Sequence, residues 1–147
     1  MIDKDAIATR AAKILLDTKS VLFNTEEPFT LTSGKKSPVY IDCRRLISFP
    51  AERTQLMDDA AAMLKEATKD KPLDLLAGGE TAGIPYAAFI SERMDIPMLY
   101  VRKKPKGFGR LAQIEGCMDE NGKNVALIED LQTDGGSKKL FVDVLRE

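Results

Sequence analysis

The 147-residue sequence predicts a single α/β domain built on a mostly parallel central sheet flanked by helices. Three observations favour this fold class. Apolar segments of strand length alternate with segments of helical periodicity. The strand-like segments run into glycines, basic residues or acids before the next element begins. The composition, 44% hydrophobic and 31% charged, is that of a globular chain long enough to bury a core.

The first half of the chain predicts two helices separated by extended segments. Residues 3–21 carry apolar side chains at helical spacing behind a possible Asp3 or Asp5 cap. Residues 26–46 read as two short extended pieces around a Ser-Gly turn, each with alternating apolar residues. A second helix over residues 49–70 opens near Pro50.

The second half alternates strands and helices. Residues 73–79 predict a short strand that ends in glycines, and a helix over 83–94 follows it. Residues 96–101 predict a second buried strand, which leads into the basic loop 102–110. Residues 112–130 predict a β-hairpin with Asn121-Gly122 as its turn, and a last helix begins at Ser137.

Composition and charge narrow the class of protein. The net charge of -1 argues against a general nucleic-acid binder. The N-terminal residues do not resemble a secretory signal, no apolar run reaches membrane-spanning length, and two cysteines without metal spacing suit a reducing compartment. We therefore expect a cytoplasmic protein. Histidine is absent, so any chemistry must use carboxylates, lysines, arginines, hydroxyls or backbone groups.

Three loops are candidates for ligand binding. They lie at residues 78–83, 102–110 and 129–137, each directly after a predicted strand. Ligands of parallel α/β sheets bind at the carboxyl ends of the strands. Connection rules do not determine the strand order, so the convergence of these loops is a hypothesis.

The loop at 129–137 combines two acids with a glycine turn. Glu129 and Asp130 can accept hydrogen bonds from adjacent hydroxyls such as those of a ribose. Thr133 and the Gly-Gly-Ser segment 135–137 offer backbone N–H groups before a helix, where a phosphate is favoured. Alternatively, the segment is an acidic turn whose glycines only let the chain reverse. The spacing alone leaves both interpretations open.

Three motifs carry a resemblance to a known family. Residues 126–137 (ALIEDLQTDGGS) resemble the phosphoribosyl-pyrophosphate signature of the type I phosphoribosyltransferases. Residues 29–44 and 102–116 resemble the N-terminal signature and the mobile catalytic loop of orotate phosphoribosyltransferases. The resemblance covers most of the chain. It implies a type I phosphoribosyltransferase-like fold with an N-terminal hood segment (1–45), a core (46–147) and a β-hairpin next to the mobile loop.

The resemblance also implies a reaction. Phosphoribosyl pyrophosphate and orotate would give orotidine 5'-monophosphate and pyrophosphate in pyrimidine biosynthesis. Mg2+ would be held mainly by the substrate diphosphate, without a metal site in the protein. Family members are usually homodimers in which the loop corresponding to 102–110 reaches the partner's site. The catalytic residues would be Lys103 and Asp130.

The family motifs assign binding roles to particular positions. Those implied for phosphoribosyl pyrophosphate are Arg102, Lys103, Lys106, Glu129, Asp130, Leu131, Gln132, Thr133, Asp134, Gly135, Gly136 and Ser137. Those implied for orotate are Tyr40, Ile41 and Thr133. Thr32 and Ala82 stand where many members carry lysine, and Phe108 replaces a loop histidine. These departures bear on how pyrophosphate is held.

Two alternatives and one departure accompany this interpretation. A non-catalytic regulator that binds phosphoribosyl pyrophosphate or nucleotides would keep the same fold, and a purine-type phosphoribosyltransferase would share the ribose-phosphate loop. The catalytic-loop cations argue against the first and residues 29–34 against the second. Family members also continue beyond the position of Glu147. We therefore expect this form to be catalytically impaired, or its exposed surface to be covered by a partner.

Overall fold

The computed structural model describes residues 1–109, 112–118, 121–132 and 135–147. Its contacts group the chain into two compact units, Asp3–Leu56 and Met57–Glu147, the second of which also includes Met1–Ile2. The boundary lies within one long helix. The division into segments 1–45 and 46–147 stays a prediction.

The chain forms four α-helices and eight strands within the described residues, together with a 3-10 helix at Cys43–Ser48. The α-helices are α1 (Lys4–Asp17), α2 (Pro50–Ala67), α3 (Gly83–Met94) and α4 (Gly136–Arg146). The strands are β1 (Val21–Phe23), β2 (Phe29–Thr30), β3 (Lys36–Ser37), β4 (Val39–Ile41), β5 (Leu75–Gly79), β6 (Met98–Val101), β7 (Ile114–Glu115) and β8 (Val125–Ile128). All four predicted helices are present.

The first unit contains α1 and two small antiparallel sheets. The predicted cap of α1 is confirmed, because the Asp3 carboxylate accepts a 2.9 Å hydrogen bond from the backbone N–H of Ala6. The two predicted extended pieces are also present, and β2 pairs with β3 across the turn at Gly34. The second piece continues into β4, which pairs with β1. The sequence interpretation missed β1, since three residues are too few to establish an alternation.

A four-stranded sheet organises the second unit in the order β7-β6-β5-β8. Strands β6, β5 and β8 are parallel, and only β7 is antiparallel. Successive side chains of β5 point to opposite faces of the sheet. Leu75 and Ala77 pack with Phe141 of α4, whereas at Gly78 the backbone of α3 comes close to the opposite face. The predicted α/β class with a mostly parallel, helix-flanked sheet is confirmed.

The predicted hairpin over residues 112–130 is wrong in its strand pairing. Its first strand, β7, pairs with β6, and its second, β8, pairs in parallel with β5. Gly122 does adopt the left-handed conformation that a tight turn favours, with φ +78°. The apolar strand β8 gains more burial beside the central strand β5 than it would against a two-residue edge strand. The antiparallel hairpin that exists therefore joins β6 to β7 and carries the basic loop between its strands.

None of the helices in the described residues combines the length and the apolar character needed to cross a lipid bilayer.

Candidate functional site

Three loops meet at one edge of the parallel sheet. Strands β5, β6 and β8 are neighbours and run in the same direction, so the residues that follow Gly79, Val101 and Ile128 leave at the same edge. Glu80 connects two of these loops, since its carboxylate accepts a 2.7 Å hydrogen bond from the backbone N–H of Lys103. The predicted convergence of the loops is confirmed.

The carboxylate of Glu129 occupies a space that two glycines leave open. A Cβ atom at Gly79 would lie 2.7 Å from Glu129 Cδ, and one at Gly83 would lie 2.7 Å from Glu129 Oε1. The side chain of Glu129 is only 16% exposed, and its Oε1 has no hydrogen-bond partner among the described residues. Glycine at both positions is what lets this carboxylate lie against the backbone at the end of β5.

Burial and the neighbouring charges have competing effects on the pKa of Glu129. Burial raises the pKa of Glu129 above its ordinary value of 4.5. Lys138 lowers this pKa through a hydrogen bond and through its charge, the adjacent Asp130 raises it, and Lys103 lowers it. The loop after β6 and the loop after β8 therefore interact electrostatically at this carboxylate.

Lys138 is a site residue that sequence reasoning missed. Its Nζ lies 3.3 Å from Glu129 Oε2 and also donates a hydrogen bond to the carbonyl of Leu131. These contacts join the first turn of α4 to both ends of a short segment after β8. The available signal was its position, since a lysine in the first turn of a helix is unfavourable to the helix dipole and calls for a compensating partner.

The segment after β8 leads into helix α4 through a glycine. Asp130 is half-buried, and Leu131 and Gln132 are exposed. Gly135 occupies the N-cap position of α4 with φ +80° and has no side chain with which to cap the helix. Gly136 and Ser137 are exposed at the start of the helix. The positive end of the helix dipole therefore lies at an exposed turn, which favours an anion.

Two of the predicted loop cations contact a single acid. Arg102 Nη1 lies 3.8 Å from Glu115 Oε1, and Lys106 Nζ forms a closer ion pair with the same oxygen. Lys103 is exposed at its side chain, while its backbone is held by Glu80. The three predicted cations thus lie in the same short loop, and acids from two other segments restrain it.

Two of the remaining predicted positions belong to the first compact unit, and two lie outside the described residues. Tyr40 and Ile41 belong to the first unit, where the Tyr40 ring lies 5.6 Å from that of Phe29 and Ile41 packs on the core around Ile14. Their orotate roles stay predictions. Thr133 and Asp134 lie outside the described residues. Among the positions that depart from the family pattern, Ala82 is buried and precedes α3, Thr32 is exposed, and Phe108 is 75% exposed.

Comparison with known proteins identifies the family. No protein-family model matches the chain. The orotate phosphoribosyltransferase of Ruegeria sp. (strain TM1040) is 57% identical over 143 residues, which are 97% of this chain and 63% of that protein. That of Agrobacterium fabrum (strain C58 / ATCC 33970) is 56% identical over 98% of this chain and 62% of its own length. The chain therefore spans just under two thirds of the length of these curated relatives.

Solved structures agree in fold. The crystal structure of orotate phosphoribosyltransferase from Aeropyrum pernix matches this chain with a TM-score of 0.75 and 33% identity. The match covers 92% of this chain and 72% of the Aeropyrum pernix chain. Adenine phosphoribosyltransferase from Saccharomyces cerevisiae, at 20% identity and a TM-score of 0.67, shares the fold alone. The type I phosphoribosyltransferase-like fold is confirmed. On these identities and coverages, the chain belongs to the orotate phosphoribosyltransferase family.

Proposed function

We propose that the protein transfers the phosphoribosyl group of phosphoribosyl pyrophosphate to orotate, giving orotidine 5'-monophosphate and pyrophosphate in pyrimidine biosynthesis. One observation carries the proposal. The three loops converge at one sheet edge, where the half-buried carboxylate of Glu129 lies against the end of β5 and Glu80 binds the backbone of Lys103. Family membership supports the choice of substrates.

In the proposed reaction, a ring nitrogen of orotate forms a bond to the anomeric carbon as the bond from that carbon to pyrophosphate breaks. The electron pair of the broken bond leaves with pyrophosphate, whose oxygens accept the proton that the ring nitrogen releases. No protein nucleophile is required, so the absence of histidine is no obstacle. The protein contributes position and charge, which are the main terms for a transition state with an oxocarbenium-like sugar and an anionic leaving group.

Each loop has a role in this proposal. Glu129 and Asp130 accept hydrogen bonds from the ribose hydroxyls. The segment from Leu131 to Ser137 holds the 5'-phosphate with backbone N–H groups at the start of α4, and Thr133 also contacts orotate. Arg102, Lys103 and Lys106 stabilise the charge on the departing pyrophosphate, with Lys103 and Asp130 as the catalytic residues. Tyr40 and Ile41 contact orotate.

Mg2+ fits this proposal as an ion carried by the substrate. The acids at the sheet edge are oxygen donors of the kind that Mg2+ prefers, and Mg2+ typically binds substrate phosphates and keeps several waters. When bound, Mg2+ would neutralise part of the diphosphate charge. Beside it, the cations of loop 102–110 hold the remaining negative charge. We assign no residue of this chain as a metal ligand.

A pyrophosphate-release assay tests the proposal. The protein is mixed with phosphoribosyl pyrophosphate, Mg2+ and one of orotate, uracil, adenine or hypoxanthine. Release that depends on orotate is the expected result, and Asp130→Asn should reduce it strongly while Glu92→Gln, at an exposed position of α3, should not. Release that depends on a purine would overturn the substrate assignment. Tight binding of phosphoribosyl pyrophosphate without release would instead indicate a binding regulator.

We also propose a cytoplasmic homodimer in which loop 102–110 reaches the partner's site. Mixing two inactive variants, Lys103→Ala and Asp130→Asn, tests this. If the loop acts across the dimer, hybrid dimers contain one intact site and regain activity. If sedimentation shows that mixed dimers form but activity does not recover, the loop acts within its own chain. The contact of this loop with Glu80 is compatible with that arrangement.

A further inference from the structure

Glu115 lies on a paired strand, and backbone hydrogen bonds also hold the two cations that it contacts. Glu115 lies on β7 opposite Tyr100 of β6, and its neighbour Ile114 lies opposite Val101. The N–H of Arg102 donates to the Gln113 carbonyl at 2.8 Å, and the N–H of Lys106 donates to the Ala112 carbonyl at 3.0 Å. The backbone of this hairpin therefore brings both cations to the carboxylate, while their long side chains can turn to another anion.

The cluster carries two positive charges and one negative charge. The side chains of Glu115, Arg102 and Lys106 are 20%, 29% and 28% exposed, so solvent screens them only in part. Glu115 Oε1 serves both cations, and the excess of one positive charge leaves a partly buried site that favours a further anion.

The hydrogen bonding of this cluster is incomplete. Arg102 Nη1 stands 3.8 Å from Glu115 Oε1, beyond hydrogen-bond distance. Arg102 Nε is buried without a hydrogen bond within the described parts of the chain, whereas Glu115 Oε1 is paired with Lys106. An unsatisfied donor of this kind is costly when buried. A diphosphate offers more acceptor oxygens than one carboxylate and could satisfy the guanidinium more fully.

We propose that Glu115 is a positioning residue for the reaction, a counter-anion that gathers Arg102 and Lys106 at the sheet edge and exchanges them with the diphosphate of the substrate. This inference rests on the proposed function. Between turnovers Glu115 holds both cations beside the strand. When phosphoribosyl pyrophosphate binds, its diphosphate takes them over. When pyrophosphate leaves, Glu115 competes for them again and thereby assists product release.

The exchange predicts an unusual direction of change. A residue that only supports the fold would weaken ligand binding when it is replaced. Replacing a competing counter-anion should instead strengthen ligand binding, because its removal leaves two cations available to pyrophosphate. Glu115→Gln should therefore bind inorganic pyrophosphate more tightly, by roughly 1.5- to fivefold for the loss of a partly exposed ion pair. Both kcat and the KM for phosphoribosyl pyrophosphate should fall, since the product is released more slowly.

The experiment compares the wild-type chain with Glu115→Gln, Glu115→Asp and Glu92→Gln. Titration calorimetry measures inorganic pyrophosphate binding in the presence of Mg2+ at two salt concentrations, and steady-state kinetics gives kcat and KM. Glu92→Gln changes the net charge as Glu115→Gln does, but at an exposed position on α3, and should bind like the wild type. Glu115→Asp withdraws the carboxylate by one methylene and should bind with intermediate affinity.

The result that overturns the inference is an affinity of the Glu115 variants equal to or below that of the wild type. If Glu115→Gln does not fold, the Glu115→Asp measurement decides alone by the same criterion. Failure of the proposed function would look different. Suppose that the wild-type chain binds pyrophosphate but forms none from phosphoribosyl pyrophosphate and orotate. The proposed reaction would then be disproved, while the order of pyrophosphate affinities among the variants would still test the role of Glu115. A wild-type chain without pyrophosphate affinity would overturn both.

Discussion

Replacing Gly79 with alanine should disturb the core and the candidate site together. A Cβ atom there would lie 2.7 Å from Phe141 Cε2 and 2.7 Å from Glu129 Cδ, well inside ordinary van der Waals contact. The Glu129 carboxylate ends a flexible side chain and can move. The Phe141 ring is fully buried and can move only together with its surroundings in α4.

The expected cost follows from this overlap. Overpacking a well-filled site costs about 1–3 kcal/mol. Alanine also lowers the conformational entropy of the unfolded chain, which stabilises the folded state by about 0.4–1 kcal/mol. The net loss of about 0–2.6 kcal/mol in unfolding free energy should lower Tm by up to roughly 10 °C for a chain of this size. Displacing Glu129 should also remove a charge-assisted hydrogen bond to the ribose, which would weaken phosphoribosyl-pyrophosphate binding roughly 10- to 150-fold.

Two measurements test this prediction. Calorimetric melting gives the change in Tm, and titration with phosphoribosyl pyrophosphate gives the change in affinity. Gly107→Ala is the matched control for stability, because no atom of the described residues lies within 4 Å of its added Cβ. It should melt at or slightly above the wild-type temperature. If Gly79→Ala melts like Gly107→Ala, the packing of Phe141 and Glu129 against Gly79 is wrong. If it melts lower but binds the ligand like the wild type, the proposed contact of Glu129 with the ribose is wrong.

Three further predictions concern single side chains. Because burial raises the pKa of Glu129, folding favours its protonated form, and the unfolding free energy should fall as pH rises through that raised pKa. Glu129→Gln should remove this fall in urea titrations across pH, and an unchanged profile would contradict the burial argument. Phe141→Ala should cost about 3–5 kcal/mol in urea unfolding, against less than about 0.5 kcal/mol for Phe108→Ala, which is 75% exposed. Lys103→Ala should lower the single-turnover rate more than it weakens phosphoribosyl-pyrophosphate binding, and equal losses would rule out a transition-state role.

The helices and most strands were predictable because their signals are local. Asp3 is followed by residues of helical periodicity, and the helix begins where the cap predicts. Helix α3 occupies the predicted residues 83–94 because the glycines of β5 end the strand directly before it. The hairpin error arose in the same local way. The chain does bend at Asn121-Gly122, but a bend does not determine which strands pair across it.

The candidate site was predictable in part. The acids after β8 and the cations after β6 could be recognised from their positions after apolar strands. Glu115 could not, and Lys138 offered only the weak signal of its place in the first turn of a helix, since each acquires its role from a partner. Lys138 pairs with Glu129, and Glu115 pairs with Arg102 and Lys106. A lysine on a helix and a glutamate on a short strand are ordinary surface residues until the partner is known.

By itself, the sequence determined the alternation of strands and helices, the absence of histidine chemistry and the order of the ligand loops, because periodicity and composition depend only on neighbouring residues. The tertiary structure decided the strand order, the burial of Glu129 against Gly79 and the sharing of Glu115 by two cations. These features depend on groups distant in the chain meeting where solvent screening is weak. Their charges and volumes then interact strongly. No local sequence pattern indicates which distant residues will meet in this way.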